Sequence, residues 1–141
     1  MTQEDKDLLL KDLSARLPYG VKLGFYASAT KQTLICTLLG LEPQEDEPVI
    51  AKTENGSFYM LAGNVKPYLF PMSSMTEEQK REYNSLRDFV PTYHYEYGDI
   101  VEDTELYDNW GSIDYLIANH FDYRGLIPKG LALDATGKNI Y

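Results

Sequence analysis

Apolar residues recur at helical spacing near the start of the chain. Leu9, Leu10, Leu13 and Leu17 form one stripe, Glu4 and Asp5 suit the first turn, and Lys11 and Arg16 suit the last. Thr2 with Asp5 gives a capping-box-like start and Pro18 stops the run, so the pattern predicts a helix over Gln3–Leu17. Its polar face mixes acids and bases, as in a helix docked on neighbouring strands rather than one lying on a membrane. The rhythm then changes. Val21–Tyr26 and Thr33–Leu41 read as strands joined by a turn at Ala29–Gln32, with Cys36 as a buried, inert thiol in the second. The polar PQEDEP stretch at 43–48 reads as a loop. Val49–Lys52 and Phe58–Ala62 flank Asn55-Gly56, the signature of a tight hairpin, and Val65–Leu69 adds a short strand that Pro67 places at an edge or bulge. Short strands with tight connections predict a small antiparallel sheet, strongly bent or SH3-like.

Pro71 ends the extended region, Met72 and Met75 read as staple or gap-filling residues, and Thr76 with Gln79 forms a second capping signal. Tyr83, Leu86 and Val90 make a thin apolar stripe, predicting a surface helix over Glu77–Phe89. Near the C-terminus, Ser112 can cap a helix with Asp114 in its first turn. Ile113, Leu116, Ile117, His120 and Phe121 then fall on one face, and the helix should end near Phe121. Asp122–Gly125 reads as a turn with Gly125 at positive φ, after which Leu126, Ile127, Pro128 and Gly130 bend the chain into Leu131–Leu133. The expected architecture is one α+β domain over 1–141: an N-terminal helix and small sheet in 1–70, and a helical, acidic part of the same domain in 71–141.

Composition agrees with a folded chain, hydrophobic residues making up 43% of 141. No apolar run approaches the ~20 residues of a membrane span, and the opening MTQEDKD lacks the pattern of a signal peptide. One cysteine excludes an intrachain disulfide and a cysteine-based zinc site. A cytoplasmic setting, without membrane, metal or cofactor, is the expectation.

Locating the net charge of −9 changes the picture. Between Arg87 and Arg124 there is no Lys or Arg, while Asp88, Glu96, Asp99, Glu102, Asp103, Glu105, Asp108, Asp114 and Asp122 match the whole imbalance. The simplest reading is a solvated loop or acidic face. The sharper one is a surface for a basic protein partner, or an imitation of a phosphate backbone. Direct nucleic-acid binding here is disfavoured, because phosphate contacts need Lys and Arg. The same stretch is rich in Tyr, and extended backbone would set Tyr93, Tyr95 and Tyr97 on one side and His94 and Glu96 on the other. With Glu102, Asp103, Glu105 and Tyr107 these tyrosines form the candidate binding surface. DIVEDTELYDNWG lacks the spacing of a calcium loop.

The catalytic candidates are His120, Asp122 and Arg124, with His94. A neutral His can serve as base, a carboxylate can orient it, and Arg can clamp an anion. The competing reading makes His120 a capping or core residue and lets Asp122 and Arg124 brace a turn. No glycine-rich phosphate loop, HExxH or GxSxG pattern names an enzyme class.

The segments RLPYGVK, VKPYLFPMSSMTEEQKREY and NHFDYRGLIPKGLALDATGKNIY resemble a family of small, uncharacterised proteins encoded by gut bacteria and by their prophages and other mobile elements. The resemblance covers both ends and the middle connector, and it implies an accessory role without supplying a catalytic residue, cofactor or partner. Three functions are therefore weighed: a non-enzymatic accessory protein using the acidic, Tyr-rich segment, a small hydrolase or transferase centred on residues 120–124, and a small-ligand binder using the aromatic residues.

Overall fold

The computed structural model describes all of Met1–Tyr141. In chain order the elements are α1 (Gln3–Arg16), β1 (Lys22–Ala27), β2 (Gln32–Leu41), β3 (Val49–Thr53), β4 (Gly56–Met60), β5 (Val65–Leu69), α2 (Glu77–Leu86), β6 (Asp88–Glu96), β7 (Asp99–Tyr107), α3 (Trp110–Ala118) and β8 (Leu133–Asp134). The fold is α+β with mostly antiparallel pairing. Two compact units emerge: one from Met1–Ser74 and Ile117–Tyr141, the other from Met75–Leu116. The C-terminal return belongs with the N-terminal sheet. No helix is long and apolar enough to cross a membrane.

In the first unit, the Thr2 hydroxyl accepts from Asp5 N at 3.0 Å and opens α1, whose Leu9, Leu10 and Leu13 are buried. The sheet runs β4-β3-β2-β1-β5-β8, antiparallel except for the β5–β8 pair, and β4 and β8 form its two edges. Residues opposite one another share a face, so Leu23 with Cys36, Leu38 with Ala51 and Val49 with Met60 build one buried layer. Burial pushes the Cys36 thiol pKa up, as suits an inert side chain in this layer. The β3–β4 hairpin turns on Glu54-Asn55 rather than Asn55-Gly56: Gly56, at φ 118°, already pairs with Thr53. The Thr53 hydroxyl fixes this by accepting from Asn55 N at 3.2 Å and donating to Gly56 O at 3.1 Å.

The C-terminal return closes this core. Phe70 N donates to His120 O at 2.8 Å and Asp122 N to Phe70 O at 2.9 Å, so Phe121 is carried inside. Leu126, Leu131 and Ala132 join the same cluster, and β8 extends the sheet beside β5. Arg16, in the last turn of α1, is wholly buried and bound to buried Asp12. One i,i+4 pair thus fills a core position with its charges matched.

In the second unit, Thr76 and Gln79 form both bonds of a capping box and Tyr83 is the buried residue of α2. The helix stops at Leu86 rather than Phe89, because Arg87 turns extended and the following residues pair as strand. Arg87 donates to Leu106 O at 2.7 Å, and Asn109 donates to Leu86 O at 2.7 Å and Asp88 at 3.0 Å, pinning the ends of the β6–β7 hairpin. The acidic segment, read from sequence as a solvated loop or an acidic face, is a regular two-stranded ribbon from Asp88↔Tyr107 to Glu96↔Asp99. The start of α3 also shifts. Asn109, not Ser112, sits at the cap: Ser112 N donates to Asn109 Oδ1 at 2.9 Å, and Asn109 N donates back to Ser112 Oγ at 2.8 Å.

Candidate functional site

His120 lies beyond the end of α3, at φ 63°, rather than in its last turn. Its ring stacks on Tyr141 with centroids 3.6 Å apart and an interplanar angle of 11°, and its buried Nδ1 has no hydrogen-bond partner. Burial, and then the Arg16 charge, lower its pKa to about 4, so the ring is neutral at pH 7. Asp122 is largely buried, and its two carboxylate oxygens accept from Leu126 N at 2.8 Å and Ile127 N at 2.9 Å. That carboxylate braces a turn. Arg124 Nε lies 3.3 Å from Asp12, and its guanidinium sits 4.7 Å from the Tyr123 ring centroid. Arg16 donates to both oxygens of Asp12, at 2.7 and 3.2 Å, and to Phe121 O at 2.7 Å.

His120, Asp122 and Arg124 thus share a turn while each meets a different partner. A base with a carboxylate orienter would need His120 and Asp122 to face one another. The remaining catalytic candidate, His94, belongs to the hairpin, where Nδ1 is 3.3 Å from Asp103 and Nε2 is 3.6 Å from Glu96. No group of three or more His, Cys, Asp or Glu side chains is placed to hold a metal ion.

The binding candidates all lie on the hairpin, but its register separates them. Cross-strand pairing puts Phe89, Tyr93 and Tyr95 on one face with Ile100, Glu102 and Leu106. Val90, His94 and Glu96 share the other face with Asp99, Asp103, Glu105 and Tyr107. The Tyr107 hydroxyl donates to Glu105, whose hydrogen bond and charge raise the phenol pKa. No protein-family model, curated protein or solved structure matches the chain. Tyr93 and Tyr95 thus lie on the face opposite His94 and Glu96, with Glu102 joining the tyrosines and Tyr107 the acids.

Large side chains on the aromatic face remain open to water: Phe89 is 69% exposed, Tyr95 80% and Ile100 67%. Tyr97 belongs to neither face. It occupies the tip with φ 52°, followed by Gly98 at φ 86°, and is 98% exposed. Two positive φ values at a hairpin tip are the backbone of a type I′ turn, where Asn and Gly are favoured. A tyrosine there adopts the left-handed conformation without gaining burial.

Sequence reasoning did not identify Phe89, Ile100 or the exposed Trp110 as surface residues. Period-two alternation through Phe89, Pro91, Tyr93 and Tyr95 carried the signal, but Phe89 also fitted the end of the helix expected over Glu77–Phe89. The Asp12–Arg16 pair was visible only as a favourable helical spacing; nothing local indicated its burial.

Proposed function

We propose that the β6–β7 hairpin is a recognition arm and that the chain is a non-enzymatic accessory protein acting on a basic protein partner. The observation that carries this reading is the tip: a fully exposed tyrosine held in a left-handed turn, beyond a ribbon whose aromatic face lies open. A two-stranded hairpin is marginal by itself in water, so covering this face on a partner would stabilise both contact and ribbon. The acids give the partner its sign. Asp99, Asp103, Glu105 and Glu96 share the face behind the tyrosines, with His94 between two of these carboxylates. They steer a basic surface toward the arm, and the aromatic side chains supply the contact area.

A specific form follows from the separation of the faces. The carboxylate row stands in for nucleic-acid phosphates on a nucleic-acid-binding protein, and the tyrosines hold the complex together. In this reading the resemblance to mobile-element proteins supplies the setting: a small cytoplasmic factor that occupies a host or competitor protein.

The test compares partner capture from the source cell by three baits: the unmodified chain, a Glu102→Lys, Asp103→Lys, Glu105→Lys variant, and Tyr97→Asn. The charge variant should lose partners that the unmodified chain releases at raised salt, through slower association. Tyr97→Asn should keep the ribbon folded and speed dissociation. Double-stranded DNA should displace the partner in the phosphate-imitating form. Identical partner lists from all three baits would remove the arm as the functional surface.

A further inference from the structure

One edge of the main sheet carries a second surface, independent of the hairpin. Strand β4 is that edge, paired only with β3, and residues Gly56–Tyr59 are exposed. Its outer backbone groups form a template for another strand. Edge strands are ordinarily protected by Lys, Pro, a bulge or an inward charge. The sequence GSFYM has no Lys, Pro or charge, and its pairing with β3 runs without a register shift. At the opposite edge, β8 is only two residues long.

Two recesses adjoin this unprotected edge. The first, about 290 Å³, is a mainly apolar groove lined by Phe25, Leu34, Phe58 and Met60, with Thr53 and Tyr59 among its other walls. The register explains it: Phe25↔Leu34 and Ala51↔Phe58 place these side chains on the same sheet face as the core. Leu34 and Phe58 nevertheless remain about half exposed, at 47% and 46%. The second recess, about 400 Å³, is lined by Glu42, Glu45, Asp46, Glu47 and Tyr59, with no Lys or Arg. Lys6 and Asp46 both line an adjoining recess. Tyr59 borders both the apolar groove and the acidic recess.

We propose that β4 accepts an extended peptide segment of a partner protein as an added antiparallel strand, with large apolar side chains at alternate positions and a Lys or Arg at its N-terminal end. Free edge amides provide the main-chain bonds, and the groove receives alternate side chains on one face. The position of the base follows from the topology. The acidic loop precedes Val49, Val49 pairs with Met60, and so the carboxylates flank the C-terminal end of β4. An antiparallel partner begins at that end.

The probe is a fluorescein-labelled hexapeptide with lysine first and valine at alternate later positions, titrated against the full chain by anisotropy. Saturable binding is expected. N-methylating its edge-facing amides should weaken it at least about tenfold, the scale of one net hydrogen bond. Moving lysine to the last position should also weaken binding. Reversing Glu45, Asp46 and Glu47 to Lys should exchange the preference for a lysine-first peptide for a glutamate-first one. Tyr59→Lys, which places a protective charge on the edge, should abolish binding while leaving the circular-dichroism spectrum unchanged. Reversing Glu102, Asp103 and Glu105 should leave peptide affinity unaltered, so this surface and the hairpin arm fail or stand separately. Equal binding of methylated and unmethylated peptides, no saturable binding, or indifference to reversal of the acidic loop would each overturn the proposal. Concentration-dependent dimerisation that Tyr59→Lys prevents and the peptide does not compete with would also overturn it, assigning the edge to a second copy.

Discussion

In the unit built on α1 and the main sheet, strand alternation sends Leu23, Cys36, Leu38, Ala51 and Val49 to a covered face. In the unit built on α2 and the hairpin, the same alternation sends Phe89, Tyr93, Tyr95 and Ile100 to water. Both use period-two patterning, but only one converts it into a core. The first also absorbs an ion pair, Asp12–Arg16, at zero exposure, whereas His94 in the second meets its carboxylates while half exposed. Apolar burial stabilises by roughly 25 cal/mol per Å². The main sheet is accordingly the stable platform, and the hairpin keeps its large side chains available for contact.

The sharpest way to break this comparison is a matched pair of phenylalanines. Phe121→Ala, at 2% exposure, should cost about 3–5 kcal/mol in denaturant melts, while Phe89→Ala, at 69%, should stay within about 0.5 kcal/mol. Equal costs would mean that the exposed face contributes to stability as the core does.

A buried charge should come next. Asp12→Leu leaves Arg16 without its main carboxylate and should cost about 3 kcal/mol; adding Arg16→Met should recover much of that loss in a double-mutant cycle. An additive double mutant would show that the pair is not coupled.

The pH response of His120 should be smaller. His120 is held near a pKa of about 4, below its ordinary 6.5, by burial and by Arg16. The unfolded chain therefore binds more protons between these values, so the His120 contribution is present above pH 6.5 and is lost as pH falls toward 4. Melts from pH 7 to 4.5 should show a falling midpoint. His120→Asn, which tolerates positive φ and does not titrate here, should flatten part of the fall; an unchanged slope would contradict the assignment.

The smallest effect should carry the opposite sign. Tyr97→Asn relieves a left-handed non-glycine tip and should stabilise the ribbon by up to about 1 kcal/mol, read as greater amide protection along β6 and β7. Loss of protection would mean that the tyrosine ring supports the turn.

Elements whose local signals agree with their burial were legible in the sequence. Thr2 and Thr76 caps, the α1 leucine stripe and the alternating β1–β5 segments placed those elements within a few residues. The ribbon was not legible because both its faces are exposed, leaving little apolar–polar contrast, and because its tip is Tyr97-Gly98 rather than Asn-Gly. Ser112 looked like a helix cap since its hydroxyl does take part in one, but from the other side, with Asn109 at the cap. For residues 120–124, the candidate chemistry dissolved into turn bracing once Asp122 met the amides of Leu126 and Ile127. Spacing along a chain does not show where a carboxylate's oxygens point.

The bond from Arg16 to Phe121 O spans 105 residues, and the one from Lys22 N to Tyr141 Oη spans 119. At roughly 5–20 residues per second, the ribosome takes about 5–20 s to deliver Phe121 after Arg16. During that interval α1 and the first five strands lack the return that lines their core and the strand that extends β5. The hairpin has no such wait, since its partners lie close in sequence and hairpins form in about 1–10 μs. Every cross-strand partner of the hairpin has therefore left the ribosome before the return that completes the core of the first unit.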